Sequence, residues 1–400
     1  MSPRVSIVMP SFNQARFVRE ALDSVLSQDH APLEVLVVDG GSRDGTIEIL
    51  KEYGDRIAWI SEPDRGQSDA INKGFRRASG EIVAWLNTDD RYAPGAVRAA
   101  VAALEQRPEA ALVYGDGELI GEDGRLLGTF PATQDFDLWK LVWVSDYIMQ
   151  PTVFMRREAL AAVGYLDESL HYAMDWDLWV RLACRWPAVR LGRVLAQTRE
   201  YAATKTASGG WRRLAELRRL MARHGAKGWP PGAIAYGLDT LRRRWPLVFG
   251  ASTLGDVEAL ARRPLARWFR PLHHLLVRII DRQISHAQGV WADGWAGPLA
   301  HQAVPWNGQA GRVVVRGDVP ADPALLPLRL SIEAEQARAT LLCQQPGPFE
   351  AALELPAAAT VPRALPVTVR ASRSVRAPRD SRRLSWRLRE VHFVAAGAGA

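Results

Sequence analysis

Glu81-Ile82-Val83-Ala84-Trp85-Leu86-Asn87-Thr88-Asp89-Asp90-Arg91-Tyr92-Ala93-Pro94-Gly95 decides how the rest of the chain is read. Its apolar run, Ile82 to Leu86, stops at Asn87-Thr88-Asp89-Asp90, and Pro94-Gly95 open the next segment. A short apolar run bounded by turn residues is a buried strand. Two carboxylates therefore stand at a strand's carboxyl end, the edge where open α/β sheets bind ligands. Side by side they repel unless a cation or a donor-rich ligand neutralises them. The pair reads as a divalent-metal and sugar-nucleotide site; the plain alternative is a solvated loop with a helix-capping Asp.

Upstream, short apolar runs alternate with amphipathic stretches, as βαβ units do. Strands are expected at Arg4–Met9, Glu34–Asp39, Ile57–Ile60 and Glu81–Leu86, with helices at Gln14–Gln28, Thr46–Tyr53 and Ser68–Ala78. A parallel sheet is the default for this alternation. It puts Ser11-Phe12-Asn13, Asp39 and Asp89-Asp90 on one rim. No Gly-x-Gly-x-x-Gly follows the first strand and no Gly-x-x-x-x-Gly-Lys-Ser/Thr occurs, so dinucleotide and P-loop readings lose their main support. An acidic rim holds a nucleoside diphosphate only through a bridging cation, with Arg or Lys nearby.

Four hundred residues imply two or three domains, and 48% hydrophobic content with 15 Trp is ample for their cores. Cys184 and Cys343 lie too far apart in sequence to suggest a disulfide framework or metal cluster and read as buried thiols of a reducing compartment. The N-terminal residues enter a strand with no signal-peptide pattern, and no apolar run of about 18 residues is present to span a bilayer. The expected location is cytoplasmic, free or peripheral on the inner face of the membrane.

Four stretches in order carry a family resemblance: Val5-Ser6-Ile7-Val8-Met9-Pro10-Ser11-Phe12-Asn13, Val37-Val38-Asp39-Gly40-Gly41-Ser42-Arg43-Asp44-Gly45-Thr46, Glu62 through Gly74, and Leu86-Asn87-Thr88-Asp89-Asp90. They resemble the motifs of family 2 inverting glycosyltransferases, over roughly the first half of the chain. The resemblance implies a GT-A nucleotide-binding, Rossmann-like α/β domain and a divalent cation, Mn or Mg. It implies that Pro10, Ser11, Asn13 and Asp39 line the nucleobase and ribose, and that Arg65 and Asp69 lie beside the diphosphate or sugar. Asp89 and Asp90 would hold the metal, with Asp89 also touching the nucleotide. Asn87 departs from the family's usual leading Asp, which leaves the principal ligand open between Asp89 and Asp90.

Each position also has a local reading. Asp39 suits a turn cap, Ser11 and Asn13 suit turns, Asp64-Arg65 suits a surface ion pair, and Asp69 suits a helix N-terminus. Farther on, Met174-Asp175-Trp176-Asp177-Leu178-Trp179 opens a helix. Asp175 resembles the family's base, the carboxylate that removes the acceptor hydroxyl's proton; Asp177 suits the helix-dipole role. Gln150, in Met149-Gln150-Pro151-Thr152, and Arg199 resemble acceptor- or sugar-side positions. Tyr201 stands where many relatives carry His.

The positive charge belongs to one segment: Lys205 to Ser285 holds sixteen Lys and Arg against five Asp and Glu. It reads as basic amphipathic helices, with Trp211, Leu214, Leu217 and Met221 on an apolar face, and further basic aromatic runs at Leu241–Trp245 and Trp268–Leu272. Such helices suit an anionic membrane surface or a solvated linker, and no nucleic-acid-binding signature accompanies them. From Trp291 on, short alternating runs at Val313–Val315, Leu328–Ile332, Phe349–Leu355, Leu365–Val369 and Leu384–Leu388 argue for an antiparallel β-sandwich. Its opening, Trp291 to Pro298, resembles a module behind some bacterial surface-polysaccharide transferases, and Trp295 and Trp386 read as core.

The expected organisation is a GT-A glycosyltransferase domain at 1–207, a basic helical segment at 208–285 and a sandwich at 286–400. The expected function is metal-dependent inverting transfer of a hexose from a nucleotide diphosphate sugar to a glycan or lipid-linked acceptor, in cell-surface polysaccharide synthesis. Two alternatives stand beside it: an inactive nucleotide-binding scaffold carrying a glycan-binding sandwich, and a nucleotidyltransferase.

Overall fold

In the computed structural model the described residues are 2–201, 209–226, 228–244, 288, 290, 294–358, 362–375 and 382–396. They form two compact units. One comprises Met1–Phe136 and Asp146–Gly209; the other comprises Asp137–Ser145 and Gly210–Ala400.

The first unit is built on one mixed sheet. Its strands are β1 (Val5–Ser11), β2 (Leu33–Asp39), β3 (Ala58–Ser61), β4 (Ile82–Trp85), β5 (Arg91–Tyr92), β6 (Leu112–Ile120), β7 (Leu126–Thr129), β8 (Phe154–Arg156) and β9 (Ala188–Arg199). They lie in the order β3-β2-β1-β4-β8-β6-β9-β5, with β7 paired to β6. The expected parallel sheet is found in β3-β2-β1-β4. Beyond β4 the default fails: β8 runs antiparallel to both β4 and β6. A parallel half continued by a mixed one, with β8 antiparallel to its neighbours and β6 parallel to β9, is the GT-A, Rossmann-like arrangement that the motifs imply.

Strands β1 and β4 are buried throughout, which is why they read as near-continuous apolar runs. Helices α1 (Val18–Leu26), α2 (Thr46–Glu52), α3 (Gln67–Arg77) and α4 (Ala96–Gln106) alternate with the early strands. Val18, Ala21, Leu22 and Val25 of α1 pack into a core with Val5, Ile7, Val37, Ala84, Val97 and Leu104. α1 begins four residues later than expected, because Asn13 to Phe17 are used in a turn that opens at a left-handed Asn13 (φ 52°).

The second unit takes α5 (Leu138–Trp143) from within the sequence of the first, and Asp137 caps it by accepting the Lys140 N–H at 3.0 Å. α6 (Arg157–Val163) and α7 (Met174–Ala183) return to the first unit; α8 (Gly210–Arg223) and α9 (Pro231–Arg244) belong to the second. Two antiparallel four-stranded sheets complete it. One orders β10 (Trp295–Ala296), β17 (Trp386–Ala395), β12 (Gly311–Val319) and β15 (Gly347–Leu355); the other orders β11 (Leu299–Trp306), β16 (Arg363–Ala371), β13 (Leu328–Ala334) and β14 (Ala337–Cys343). This is the expected sandwich. Its core includes Trp306, Val315, Leu330, Ile332, Leu353, Val369 and Trp386. Trp386 is core as expected, whereas Trp295 is half-buried. Both thiols are buried and free.

One expectation about α8 is corrected. Leu214, Leu217, Leu220 and Met221 are buried, but Trp211, one turn before Leu214, is 50% exposed. The run Trp268–Leu272 lies outside the described residues. No helix among the described residues is long and apolar enough to cross a membrane.

Candidate active site

The parallel register brings the three rim loops together. Ser11 pairs with Asp39, and Asp39 with Ser61, so β1, β2 and β3 end level. β4 joins them through the Leu86 N–H, which donates to the Val8 carbonyl at 2.9 Å. The Thr88 hydroxyl then donates to the Pro10 carbonyl at 3.1 Å and ties the acidic loop to the end of β1.

Asp39 is fully buried. Its carboxylate accepts the N–H groups of Gly41 (3.0 Å) and Ser42 (2.8 Å) and the hydroxyls of Ser61 (2.7 Å) and Ser42. As it stands, then, it organises the Gly40–Ser42 loop. Asn13 does the same between loops: its side-chain oxygen accepts the Arg43 N–H at 3.0 Å, and its own N–H donates to the Ser42 hydroxyl at 2.7 Å. The Ser11 hydroxyl differs, being buried with no hydrogen-bond partner. Phe12, between them, is 59% exposed. Gly40 lies close beside it: a Cβ there would come within 3.2 Å of the Phe12 ring and make the Asp64 carboxylate shift. The sequence puts Phe12 on the rim and Asp64 in a surface ion pair but assigns neither a contact in the site, because side-chain exposure and this close approach leave no mark in composition or spacing.

Arg65 and Asp69 form an (i, i+4) pair at the start of α3, as helix geometry allows. The Arg65 guanidinium donates to Asp69 at 3.1 Å and to Glu168 at 2.6 Å, and Lys73 lies 3.4 Å from Asp69. Burial raises the Asp69 pKa, but the Arg65 N–H and guanidinium together with Lys73 outweigh it and hold it at about 2. Glu168 also escaped sequence reasoning, since it reaches the site from a distant loop.

The acidic loop is a single network. Asn87 donates through its amide to Asp90 (3.1 Å) and to Gln150 (3.1 Å), and accepts from Gln67 (2.8 Å). The other end of Gln150 donates to the Trp85 carbonyl at 2.8 Å, so Gln150 fixes the loop's shape. An amide at position 87 fits because it donates to a buried carboxylate that an Asp there would repel. Asp90 is buried; one oxygen takes the Asn87 amide and the other the Arg199 N–H at 3.0 Å. Asp89 is half-buried and accepts the Tyr201 hydroxyl at 2.9 Å. Burial raises the pKa of both carboxylates, and the Asp89 charge raises Asp90 further. Burial, together with Asp89, also pushes the Tyr201 hydroxyl to about 12, so it stays a donor at neutral pH.

Arg199 does not take the sugar-side place expected of it. It is buried, and its guanidinium donates to the Asp89 carbonyl (3.0 Å), the Gly121 and Glu122 carbonyls (3.0 and 2.9 Å) and Glu20 (2.7 Å). With these donors engaged, it is a positioning residue behind the two carboxylates.

Asp175 lies in the first turn of α7 and accepts the Trp176 N–H at 2.8 Å. Asp177 lies in the same first turn, as its expected dipole role requires, and is in addition fully buried and paired with Arg181 at 2.6 Å. α7 is keyed to the rim twice. Trp179 stacks on Trp85 with ring centroids 5.4 Å apart, and the Ser68 hydroxyl donates to the Met174 sulfur at 2.8 Å. The acidic loop's strand and the Asp175 helix thus share one packed aromatic pair.

A family model described as glycosyl transferase family 2 matches residues 6–163. An uncharacterized glycosyltransferase of Rickettsia typhi is 33% identical over 186 residues, 45% of this chain and 58% of that protein. An uncharacterized glycosyltransferase of Mycobacterium tuberculosis is 31% identical over 201 residues, 49% of this chain and 75% of that protein. A PGL/p-HBAD biosynthesis glycosyltransferase of Mycobacterium bovis is 30% identical over 185 residues, 45% and 70% of the two chains. The chain thus spans a little over half the length of the Rickettsia relative. Among solved structures, S. aureus TarS 1–349 in complex with UDP-GlcNAc aligns with a TM-score of 0.47 at 18% identity, covering 72% of this chain and 93% of that one. Mannosyltransferase PcManGT from Pyrobaculum calidifontis in complex with GDP-Man and Mn2+ aligns with a TM-score of 0.45 at 20% identity, covering 72% and 88%. The matched region holds every rim loop described above, and by its sequence the chain belongs to glycosyl transferase family 2.

Proposed function

We propose that the chain is a metal-dependent inverting glycosyltransferase that moves a hexose from a nucleotide diphosphate sugar to a glycan or lipid-linked acceptor, in cell-surface polysaccharide synthesis. The observation that carries this reading is the pair Asp89-Asp90, a half-buried and a buried carboxylate side by side at a parallel-strand rim, both of raised pKa, in a family 2 chain. Carboxylates held this way favour a cation as partner.

The residues fit a divalent ion. Among the described residues no three His, Cys, Asp or Glu side chains gather to cage a metal. A cation such as Mg2+ does not need a cage, because it keeps several waters and binds through one or two carboxylates and the substrate's phosphates. Asp89 is the residue for that contact, since Asp90 has both oxygens on protein donors. Bound there, the ion would supply positive charge to the diphosphate as it leaves.

The chain's own groups supply the rest. Phe12 offers an exposed face for a base to stack on, and the unpartnered Ser11 hydroxyl lies level with Asp39 to meet the nucleoside's polar edge. Asp39 can exchange a serine hydroxyl for a ring N–H. Arg65, exposed and anchored to Asp69, is the nearby cation for the diphosphate or sugar. Asp175 accepts the acceptor hydroxyl's proton while the oxygen attacks the anomeric carbon opposite the leaving diphosphate, and a single displacement inverts that centre. Asp175→Asn is expected to lower transfer by about 10²- to 10⁴-fold with donor binding retained. NMR of the wild-type product should show the anomeric configuration opposite to the donor's. Retention of configuration, or full activity of Asp175→Asn, overturns the proposal.

A further inference from the structure

The α8–α9 hairpin presents a surface that the donor site does not use. α8 carries five arginines and one acid, Glu216, and that acid is buried. Its exposed positions therefore carry arginines and no acidic residue of the helix's own. Trp211 and Arg218 are seven residues apart, two helical turns, and both are exposed along the edge of the buried stripe of Leu214, Leu217 and Met221. Arg212 and Arg219 flank them, also exposed. Trp229, in the turn before α9, is 57% exposed and lies under the Arg218 guanidinium, 3.9 Å from its ring centroid. Ile234, in the first turn of α9, is 41% exposed. Large apolar side chains set this way among basic ones mark an interaction surface rather than scattered exposure.

We infer that this hairpin docks on the surface of an anionic lipid bilayer. Indole rings with one polar edge settle at the boundary between headgroups and acyl chains. Arginines beside them bind lipid phosphates. Ile234 suits acyl chains and offers a nucleic-acid base or phosphate nothing, which favours lipid over polynucleotide. No helix among the described residues can span a bilayer, so the contact is peripheral. It is independent of the donor reading.

Flotation of the full chain with phosphatidylcholine vesicles, with or without phosphatidylglycerol, tests it. Binding is expected only with phosphatidylglycerol, and it weakens as salt screens the arginines. Arg218→Glu with Arg219→Glu should cut binding by at least about tenfold. Trp211→Ala with Trp229→Ala should cut it several-fold, and neither double variant should change donor binding. If a double variant melts early, Trp211→Ala alone, at a half-exposed position, gives the same reading. No flotation at low salt overturns the inference. So does wild-type binding by both variants, or binding to duplex DNA that matches vesicle binding and ignores the tryptophan changes.

Discussion

The GT-A unit and the strands of the sandwich handle charge in opposite ways. The GT-A unit buries Asp39, Asp69, Asp90, Asp177 and Arg199, whereas the strands of the sandwich bury no charged side chain among the described residues. The sandwich's ion pairs, such as Arg316 with Glu350 and Arg389 with Asp318, lie partly in solvent on its outer face. A buried charge is tolerated only when partners meet each of its polar atoms. Of the five, Asp39, Asp69, Asp90 and Arg199 lie at or behind the rim loops, whereas the sandwich strands keep their charges in solvent.

Arg199 gives the sharpest contrast. Arg199→Ala leaves the Asp89, Gly121 and Glu122 carbonyls and Glu20 without the guanidinium, while the backbone N–H to Asp90 remains, and should cost on the order of 3 kcal/mol in denaturant unfolding of the first unit. Arg316→Ala on the sandwich should leave the unfolding midpoint unmoved. Equal effects would erase the distinction between the units.

The next effect appears on acidification. The Asp69 pKa is depressed from 3.8 to about 2, so the stability it lends is fully present above about pH 4 and is lost as pH falls toward 2. The loss should reach at most about 2 kcal/mol, and Asp69→Asn should remove that part of the slope. A wild-type slope in the variant would show that Asp69 is not its source.

A smaller change should follow from Asn87→Asp. It replaces a donor to Asp90 with a second carboxylate, costing roughly 1–2 kcal/mol at neutral pH, and the deficit should shrink as acid neutralises the added charge. A deficit that does not vary with pH would point to lost packing instead.

Much of the rim was legible in the sequence because its loops are written in turn residues at fixed places: Asp39-Gly40-Gly41-Ser42, Asp64-Arg65-Gly66, Asn87-Thr88-Asp89-Asp90. Gly66 adopts φ 120°, a conformation only glycine takes readily. What could not be read depends on long-range packing. Strand β8 has three residues, too few for a period, and its antiparallel course follows from a sheet joined late in the chain. β11 carries Pro305, which argues against a strand unless it lies at an edge, where the order of its sheet puts it. Arg199 carries a charge that suggests a ligand contact, and only its burial shows that the charge serves Glu20 and the carbonyls behind the site. Trp211 fits the helical stripe by spacing yet is half-exposed in the helix's first turn.

Calorimetric titration of a panel of UDP-, GDP- and dTDP-sugars with Mn2+, into the wild type and Asp89→Asn, tests the central claim most directly. The wild type should bind one class of donor, with affinity that collapses on chelation. Asp89→Asn should lose that metal dependence while melting within a degree or two of the wild type. Metal-independent donor binding by the wild type, or unchanged Mn2+-dependent binding by Asp89→Asn, would contradict the account.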